Sequence, residues 1–321
     1  MKIEEITLDQ FDAQDFIEKK CRELSDEVGD GLAINALSGG VDSSVVTMLG
    51  HKALGNRLKT YFIDNGIMRK GEPEQIARWF ADLGVTIEIL DARQQFFAAL
   101  KGLSDPEEKR EAITQTFYKD VFGDLVKRSG AQFLVQGTIF TDVEETVAGV
   151  KRQHNILSQL GINTQEQFGY EVIEPLIQLR KPGVRKVGEA LGLPFAMYNR
   201  PPFPGPALAA RIIGEVTPER VALVKEATAI VEEALSSSGA FQYLAILHED
   251  KVTGIRNGKR DYGYQIEVRC WNSKDAKTAT PTRLDYDILE NLAARMTTEI
   301  PGVVSVTYNI TSKPTSTIEA V

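Results

Sequence analysis

Seven consecutive residues, Ser38, Gly39, Gly40, Val41, Asp42, Ser43 and Ser44, combine glycines, hydroxyls and a carboxylate in an order that suits a bound phosphate. An apolar run at 32–37 precedes them and reads as a short buried strand. Residues 43–54, with Val45, Val46, Met48 and Leu49 apolar, read as the helix that follows. A loop so placed lies at a helix N-terminus, where unpaired backbone N–H groups and the positive end of the helix dipole attract an anion. Glycines at 39 and 40 let the main chain approach that anion with no Cβ in the way. Ser38, Ser43 and Ser44 are candidate hydroxyl donors, and Asp42 offers an oxygen ligand suited to Mg²⁺. Taken alone, Gly-Gly-Asp-Ser-Ser also fits an ordinary tight turn with a serine cap. The strand before it and the helix after it favour the phosphate reading. Two commoner nucleotide loops, G-x-x-x-x-G-K-S/T and G-x-G-x-x-G, do not occur.

The elements that must position this loop alternate. Residues 32–37, 58–63, 85–90 and 133–135 read as strands, and residues 72–83 and 105–128 carry apolar side chains at helical spacing. Ser104-Asp105-Pro106 caps the latter, with Glu107 and Glu108 in its first turn. Such alternation predicts an α/β fold with a doubly wound parallel sheet. Ligands of open parallel sheets sit beyond the carboxyl ends of the strands, where Ser38, Asp64, Asn65 and Gly137 would emerge. Four prolines between Asn199 and Pro206 exclude helix and central strand and mark a boundary. Beyond it, a helix at 217–235 with Thr217 as cap, strands at 241–247, 262–271 and 303–310, and a helix at 286–298 predict a smaller α+β domain. The expected domains are 1–205 and 206–321.

A chain of 321 residues is long for one core, which agrees with two domains. A formal charge of -8 argues against a nonspecific nucleic-acid binder, because phosphate backbones demand clustered Lys and Arg. The two cysteines, Cys21 in an N-terminal helix and Cys270 in a strand, read as buried structural thiols with neither disulfide nor zinc. No apolar run approaches membrane-spanning length and the N-terminus has no apolar signal region, so a cytoplasmic protein is expected.

The seven-residue string resembles the pyrophosphate loop of the N-type ATP pyrophosphatases, and further blocks narrow the likeness to the synthetase part of the GMP synthases. These are residues 62–66, Asp105 to Arg110 with Phe117, Gln136-Gly137-Thr138-Ile139 with Asp142 and Glu145, and Ile173 to Leu176. Phe203 to Pro206, Arg211 to Glu215, Thr311 to Pro314 and Thr317-Ile318-Glu319 complete the set. The resemblance implies an adenine nucleotide alpha hydrolase-like fold with a C-terminal dimerisation domain. It also implies ATP and Mg²⁺ as cofactors, and transfer of AMP to the 2-oxygen of xanthosine monophosphate (XMP), followed by displacement of AMP by ammonia. By the same likeness, Ser38 to Ser44 would hold pyrophosphate, Asp42 would hold the metal, and Ile63, Gly137 and Thr138 would meet adenosine. Lys151, in a block similar to the family's lid, and Asp142 are the further catalytic candidates. Arg200, Lys313, Ile318 and Glu319 would face the acceptor. His154, beside the lid block, is a weaker candidate.

Departures from the family pattern gather on the acceptor side. The lid K-S/T-H-H-N-V-G-G-L is replaced by Lys151-Arg152-Gln153-His154-Asn155-Ile156-Leu157-Ser158-Gln159, and a K-D-E-V-R block by Leu179-Arg180-Lys181-Pro182-Gly183-Val184-Arg185, with two acids lost. An arginine that the family offers to the nucleotide phosphate falls at Ser305, and the end reads Thr317-Ile318-Glu319-Ala320-Val321. A charge-assisted Arg–phosphate contact is among the stronger polar interactions, so its loss is not neutral. Two other readings therefore stand beside GMP synthesis: a paralogue adenylating another purine-like or carbonyl acceptor, and a non-catalytic nucleotide-binding subunit. No glutaminase signature is present, which implies free ammonia or a separate glutaminase subunit as partner, and the resemblance implies a homodimer.

Overall fold

The computed structural model describes residues 3–147, 170–199, 203–274 and 276–320. It divides into two compact units. The first gathers the described residues of 1–64, 72–91 and 117–200, and the second those of 65–71, 92–116 and 201–321.

In the first unit, β1 (Ala33–Leu37), β2 (Leu58–Asp64), β3 (Glu88–Asp91), β4 (Phe133–Val135) and β5 (Glu171–Ile173) form one parallel sheet in the order β3-β2-β1-β4-β5. The chain builds outward from β1 in one direction through β2 and β3, then returns to the other side of β1 for β4 and β5. The switch point therefore lies between β1 and β4, the crevice in which doubly wound sheets place their ligands. Helices α1 (Ala13–Val28), α2 (Val41–Leu54) and α3 (Glu72–Asp82) belong to this unit. Most covered positions of the sheet are apolar, among them the buried Ala33, Ile34, Leu37, Leu58 and Phe62. Asp12 caps α1 by accepting from the N–H groups of Gln14 and Asp15.

Two expectations change between residues 85 and 129, of which 92–116 belong to the second unit. Residues 85–90 do not all form a strand, because the Val85 N–H bonds back to the Phe80 carbonyl and finishes α3; β3 starts at Glu88. The single helix expected at 105–128 is instead α5 (Pro106–Gln115), a π-helical stretch (Thr116–Phe122) and α6 (Gly123–Ser129), with α4 (Arg93–Leu100) before it. The aromatic spacing accounts for the break. Phe117 and Phe122 are five residues apart, the π-helical repeat, and their rings stack with centroids 6.1 Å apart and planes 7° apart. Within the expected cap Ser104-Asp105-Pro106, Asp105 is the capping residue, accepting from Glu107 and Glu108 N–H. Cys21 is only half-buried, whereas Cys270 is buried, so the expectation of two buried thiols holds for one of them.

The second unit is built on a long hairpin, β6 (Gln242–Arg256) and β7 (Lys259–Asn272), antiparallel with an irregularity between Leu247 and Lys251. β8 (Thr280–Pro281) pairs with the end of β7, and β9 (Val303–Tyr308) pairs with it in parallel. The strands run further than the apolar alternation suggests because Asn257 and Gly258 both adopt positive φ, 51° and 72°, and close a tight turn. The expected Thr217 cap is present, accepting from the Arg220 N–H at the start of the helix Pro218–Leu235. Leu244, Ile246, Trp271, Ala279 and Ile318 form one apolar cluster, so the C-terminal residues are part of this core.

The contact between α2 and β2 requires a residue without a side chain. A Cβ on Gly50 would lie 2.5 Å from Cδ2 of the buried Leu58. Gly50→Val is expected to lower the unfolding free energy by about 1–3 kcal/mol through overpacking, read from the urea midpoint.

Candidate active site

The loop from Ser38 to Ser44 lies between β1 and α2, at the switch point of the sheet. Gly39 has φ +76°, a conformation that costs other L-residues about 1–2 kcal/mol, and Gly40 is the helix N-cap in extended geometry. The Ser43 hydroxyl ties the loop together. It donates to the Gly40 carbonyl at 3.0 Å, lies 2.9 Å from the Ser38 hydroxyl and accepts from the Ser38 N–H at 3.2 Å. The Gly40 N–H in turn donates to the Ser38 hydroxyl. Since Ser43 gives its one proton to Gly40, the Ser38 hydroxyl must be the donor between the two serines. Both hydroxyl protons are thus engaged inside the loop, and Ser44 is fully buried. The first intrahelical bond is Ser44 N–H to Gly40 O, so the N–H groups of Val41, Asp42 and Ser43 precede the ladder. What the loop offers an anion is therefore main-chain donors and the helix dipole.

β4 delivers Gly137 against this loop. A Cβ there would stand 3.1 Å from the Asp42 carbonyl carbon and 3.1 Å from the Ser43 nitrogen, so any side chain would press the main chain of the loop back by a few tenths of an ångström. Thr138 follows it, fully buried, with its hydroxyl accepting from Gln136 Nε2 at 3.0 Å. Ile63 is buried near the end of β2. Asp142 sits in the first turn of α7 (Phe140–Val147), and its Oδ2 accepts from the Ile139 N–H at 2.9 Å, one half of a capping box.

Lys181 is a residue to which the sequence alone assigns no role. It opens the helix α8 (Lys181–Ala190), and its Nζ lies 2.5 Å from Asp42 Oδ2. A cation at a helix N-terminus is on the unfavourable end of the dipole, which is the signal that stability alone does not place it there. The pair is partly exposed, with side chains 44% and 25% accessible, and so contributes at most about 1 kcal/mol. An incoming anion can take the lysine over. Asp42 Oδ1 is buried with no partner among the described residues, an oriented carboxylate oxygen open to a cation.

Glu174, just after β5, is the second residue whose place only the structure reveals. Burial raises its pKa above the ordinary 4.5, Asp142 raises it further, and the hydrogen bond with Thr138 only partly opposes them. A carboxyl of this kind favours its protonated form beside developing negative charge.

In the second unit, Glu319 is held by Arg211, whose Nε and Nη2 each donate at 3.1 Å, and by Gln242 Nε2 at 2.6 Å. Arg211 is only 1% exposed. Arg269 Nη1 donates to the carbonyls of Thr317, Ile318 and Glu319, so the tail is clamped by backbone and side chain together. Burial raises the Glu267 carboxyl, but donors from His248, Arg269 and Asn309 outweigh it and hold the pKa down at about 2. Ile318 is buried, and Lys313 Nζ donates to the Ala276 carbonyl at 2.8 Å. Ser305 is on β9, its hydroxyl 3.4 Å from Gln265 Oε1. Lys151, His154 and Arg200 lie outside the described residues.

A glycine-bearing strand–loop–helix connection at the switch point of a doubly wound parallel sheet is the arrangement found in nucleotide-binding α/β proteins. A family model described as NAD synthase matches residues 12–205, and one described as GMP synthase C terminal domain matches 229–320. A subunit of the glutamine-hydrolyzing GMP synthase of Archaeoglobus fulgidus is 47% identical over 309 residues, covering 96% of this chain and 99% of that protein. Its counterpart in Pyrococcus furiosus is 46% identical over 307 residues, covering 95% and 96%. The chain belongs to the family of these GMP synthase subunits.

Gly137→Ala pushes a methyl into the main chain of the phosphate loop and is expected to lower turnover by about 10²-fold, measured as steady-state pyrophosphate release, with a near-normal urea midpoint. For Glu174, a raised folded pKa means that its contribution to stability is whole below the ordinary 4.5 and is lost as pH rises through the raised value. Glu174→Gln is therefore expected to gain stability relative to the parent between pH 4 and pH 8, read from paired denaturation curves.

Proposed function

We propose that this chain catalyses the ATP-dependent amination of XMP to GMP, with AMP and pyrophosphate as the other products. Membership of the GMP synthase family supports the reaction, and the loop at the β1–β4 switch point is the observation that carries it. The XMP 2-oxygen attacks the α-phosphorus of ATP, an O–P bond forms, and the bond to the bridging oxygen breaks to release pyrophosphate. Ammonia then adds at C2, the C2–O bond breaks, and AMP departs. Little covalent chemistry falls to the protein, whose part is to position reactants and to meet developing charge.

In this reading Ser38 to Ser44 grip the departing pyrophosphate chiefly through the N–H groups of Val41, Asp42 and Ser43. Lys181 transfers from Asp42 to the phosphates as ATP enters. Ile63, Gly137 and Thr138 line the adenosine end, and Asp142 holds the start of α7 beside Thr138 and Glu174. Lys151 would reach the phosphates or the acceptor from its lid block. Arg200, Lys313, Ile318 and Glu319 would contact XMP, with Arg211 and Arg269 fixing the last two. The residues fit Mg²⁺: it is commonly held by one or two carboxylates together with substrate phosphates, and Asp42 Oδ1 is an unpartnered carboxylate oxygen at the loop. When bound, the ion would neutralise phosphate charge.

The NAD synthase match, which ends at residue 205, supports a functional division into 1–205 and 206–321. The relatives are named as one subunit of a glutamine-hydrolyzing enzyme, which supports a separate glutaminase subunit as the source of ammonia. A homodimer formed through the C-terminal domain and a cytoplasmic location complete the proposal; among the described residues no helix is long and apolar enough to cross a membrane.

The test offers XMP, xanthosine and xanthine in turn with ATP, Mg²⁺ and ammonia. GMP, AMP and pyrophosphate in equal amounts from XMP alone are expected. Turnover with another acceptor and none with XMP would refute the assignment. Asp42→Asn is expected to reduce the rate by at least about 10²-fold with the fold intact by circular dichroism.

A further inference from the structure

A line of polar side chains crosses the apolar interior of the first unit and ends on the phosphate loop. Asn35 on β1 and Thr60 on β2 are directly paired in register, and the Thr60 hydroxyl donates to Asn35 Oδ1 at 2.5 Å. Asn35 Nδ2 donates to the Thr47 hydroxyl on α2 at 2.7 Å, and Thr47 donates to the Ser43 carbonyl at 2.8 Å. At the far end His51 Nε2 lies 3.1 Å from the Thr60 hydroxyl. Asn35, Thr47 and Thr60 are 1%, 0% and 4% exposed. Central strands of parallel sheets are ordinarily apolar on both faces, and buried polar groups are costly unless each is paired. Nothing in the architecture of β1 and β2 calls for an amide and a hydroxyl here.

The polarity of the line is fixed. Thr60 has one proton and gives it to Asn35, so toward His51 it can only accept, and His51 carries its proton on Nε2. Asn35 presents oxygen to Thr60 and N–H to Thr47, which frees the Thr47 proton for Ser43. An overturned amide would present oxygen to Thr47 and draw that proton off the Ser43 carbonyl. Ser43 is also the residue whose hydroxyl holds Ser38 and Gly40, so whatever fixes its backbone fixes the loop.

We propose that Asn35, Thr47 and Thr60 are positioning residues that hold Ser43, and through it the phosphate loop, in the conformation that binds the departing diphosphate. The proposal rests on the reading of residues 38–44 as the diphosphate site. It differs from a stability role because an apolar replacement of Asn35, Thr47 and Thr60 removes their buried polar groups together and deprives only the half-buried His51 of its partner, a ring N–H that can turn to water. Such a replacement is close to neutral for folding, yet cannot hold the Ser43 carbonyl.

Inorganic pyrophosphate binding by calorimetry, the KM for ATP against kcat, and amide exchange of residues 38–44 are measured on the parent protein, Thr47→Val, Thr47→Ser and the triple variant Asn35→Leu/Thr47→Val/Thr60→Val. Thr47→Val is expected to weaken pyrophosphate about ten-fold, to raise KM for ATP, and to speed exchange in the loop. Thr47→Ser keeps the hydroxyl and is expected to stay within about two-fold of the parent. The triple variant is expected to recover the urea midpoint but not the affinity. Recovery of affinity together with stability, or parent-like affinity and exchange in Thr47→Val, would overturn the positioning role alone. A parent protein that binds no pyrophosphate would instead overturn the assignment of the loop.

Discussion

One feature organises the β1–α2 connection of the first unit: the N–H groups of Val41, Asp42 and Ser43 precede the hydrogen-bond ladder of α2, at the switch point between β1 and β4. That arrangement cannot be had from a helix N-terminus alone, because neighbouring hydroxyls and carboxylates compete for the same donors. Here the competition is removed by directing the Ser38 and Ser43 hydroxyls at each other and at Gly40, while Asp42 is turned toward Lys181. Gly39 supplies the left-handed turn and Gly137 the room. The Lys181–Asp42 ion pair beside the loop is half-exposed, so parting it costs little.

The second unit holds residues 317–319 in a defined place. Two buried arginines do it: Arg211 pairs with the Glu319 carboxylate and Arg269 with three successive carbonyls. Charges this deep are tolerated because they are paired in good geometry, and removing one partner would strand the other. The depressed Glu267 carboxyl belongs to the same network, orienting Arg269. Ile318 meanwhile packs with Trp271 and Leu244, so the tail is anchored by apolar and charged contacts at once.

Much of this was legible in the residues. Strand–loop–helix alternation defined the parallel sheet, and the glycines at 39 and 40 marked the connection between β1 and α2, because periodicity and glycine placement act locally. The π-helical stretch was hidden because Phe117 and Phe122 read as ordinary helical apolar positions until their rings are seen to stack. The long hairpin was missed although Asn257-Gly258 is a strong turn signal, since the polar run at 248–261 masks the alternation. Lys181 and Glu174 escaped for another reason: one gains its meaning from a partner 139 residues away, and the other from burial beside Thr138. Asn35 and Thr60 look like isolated polar residues in apolar strands until the register pairs them.

The account stands or falls on where a nucleotide's phosphates rest. A crystal structure with a non-hydrolysable ATP analogue and Mg²⁺ is the most direct measurement. The β- and γ-phosphates should lie within hydrogen-bonding distance of the Val41, Asp42 and Ser43 N–H groups, with Lys181 moved from Asp42 onto the phosphates. A triphosphate seated away from the β1–α2 loop, or a loop whose first-turn N–H groups remain unengaged, would contradict it.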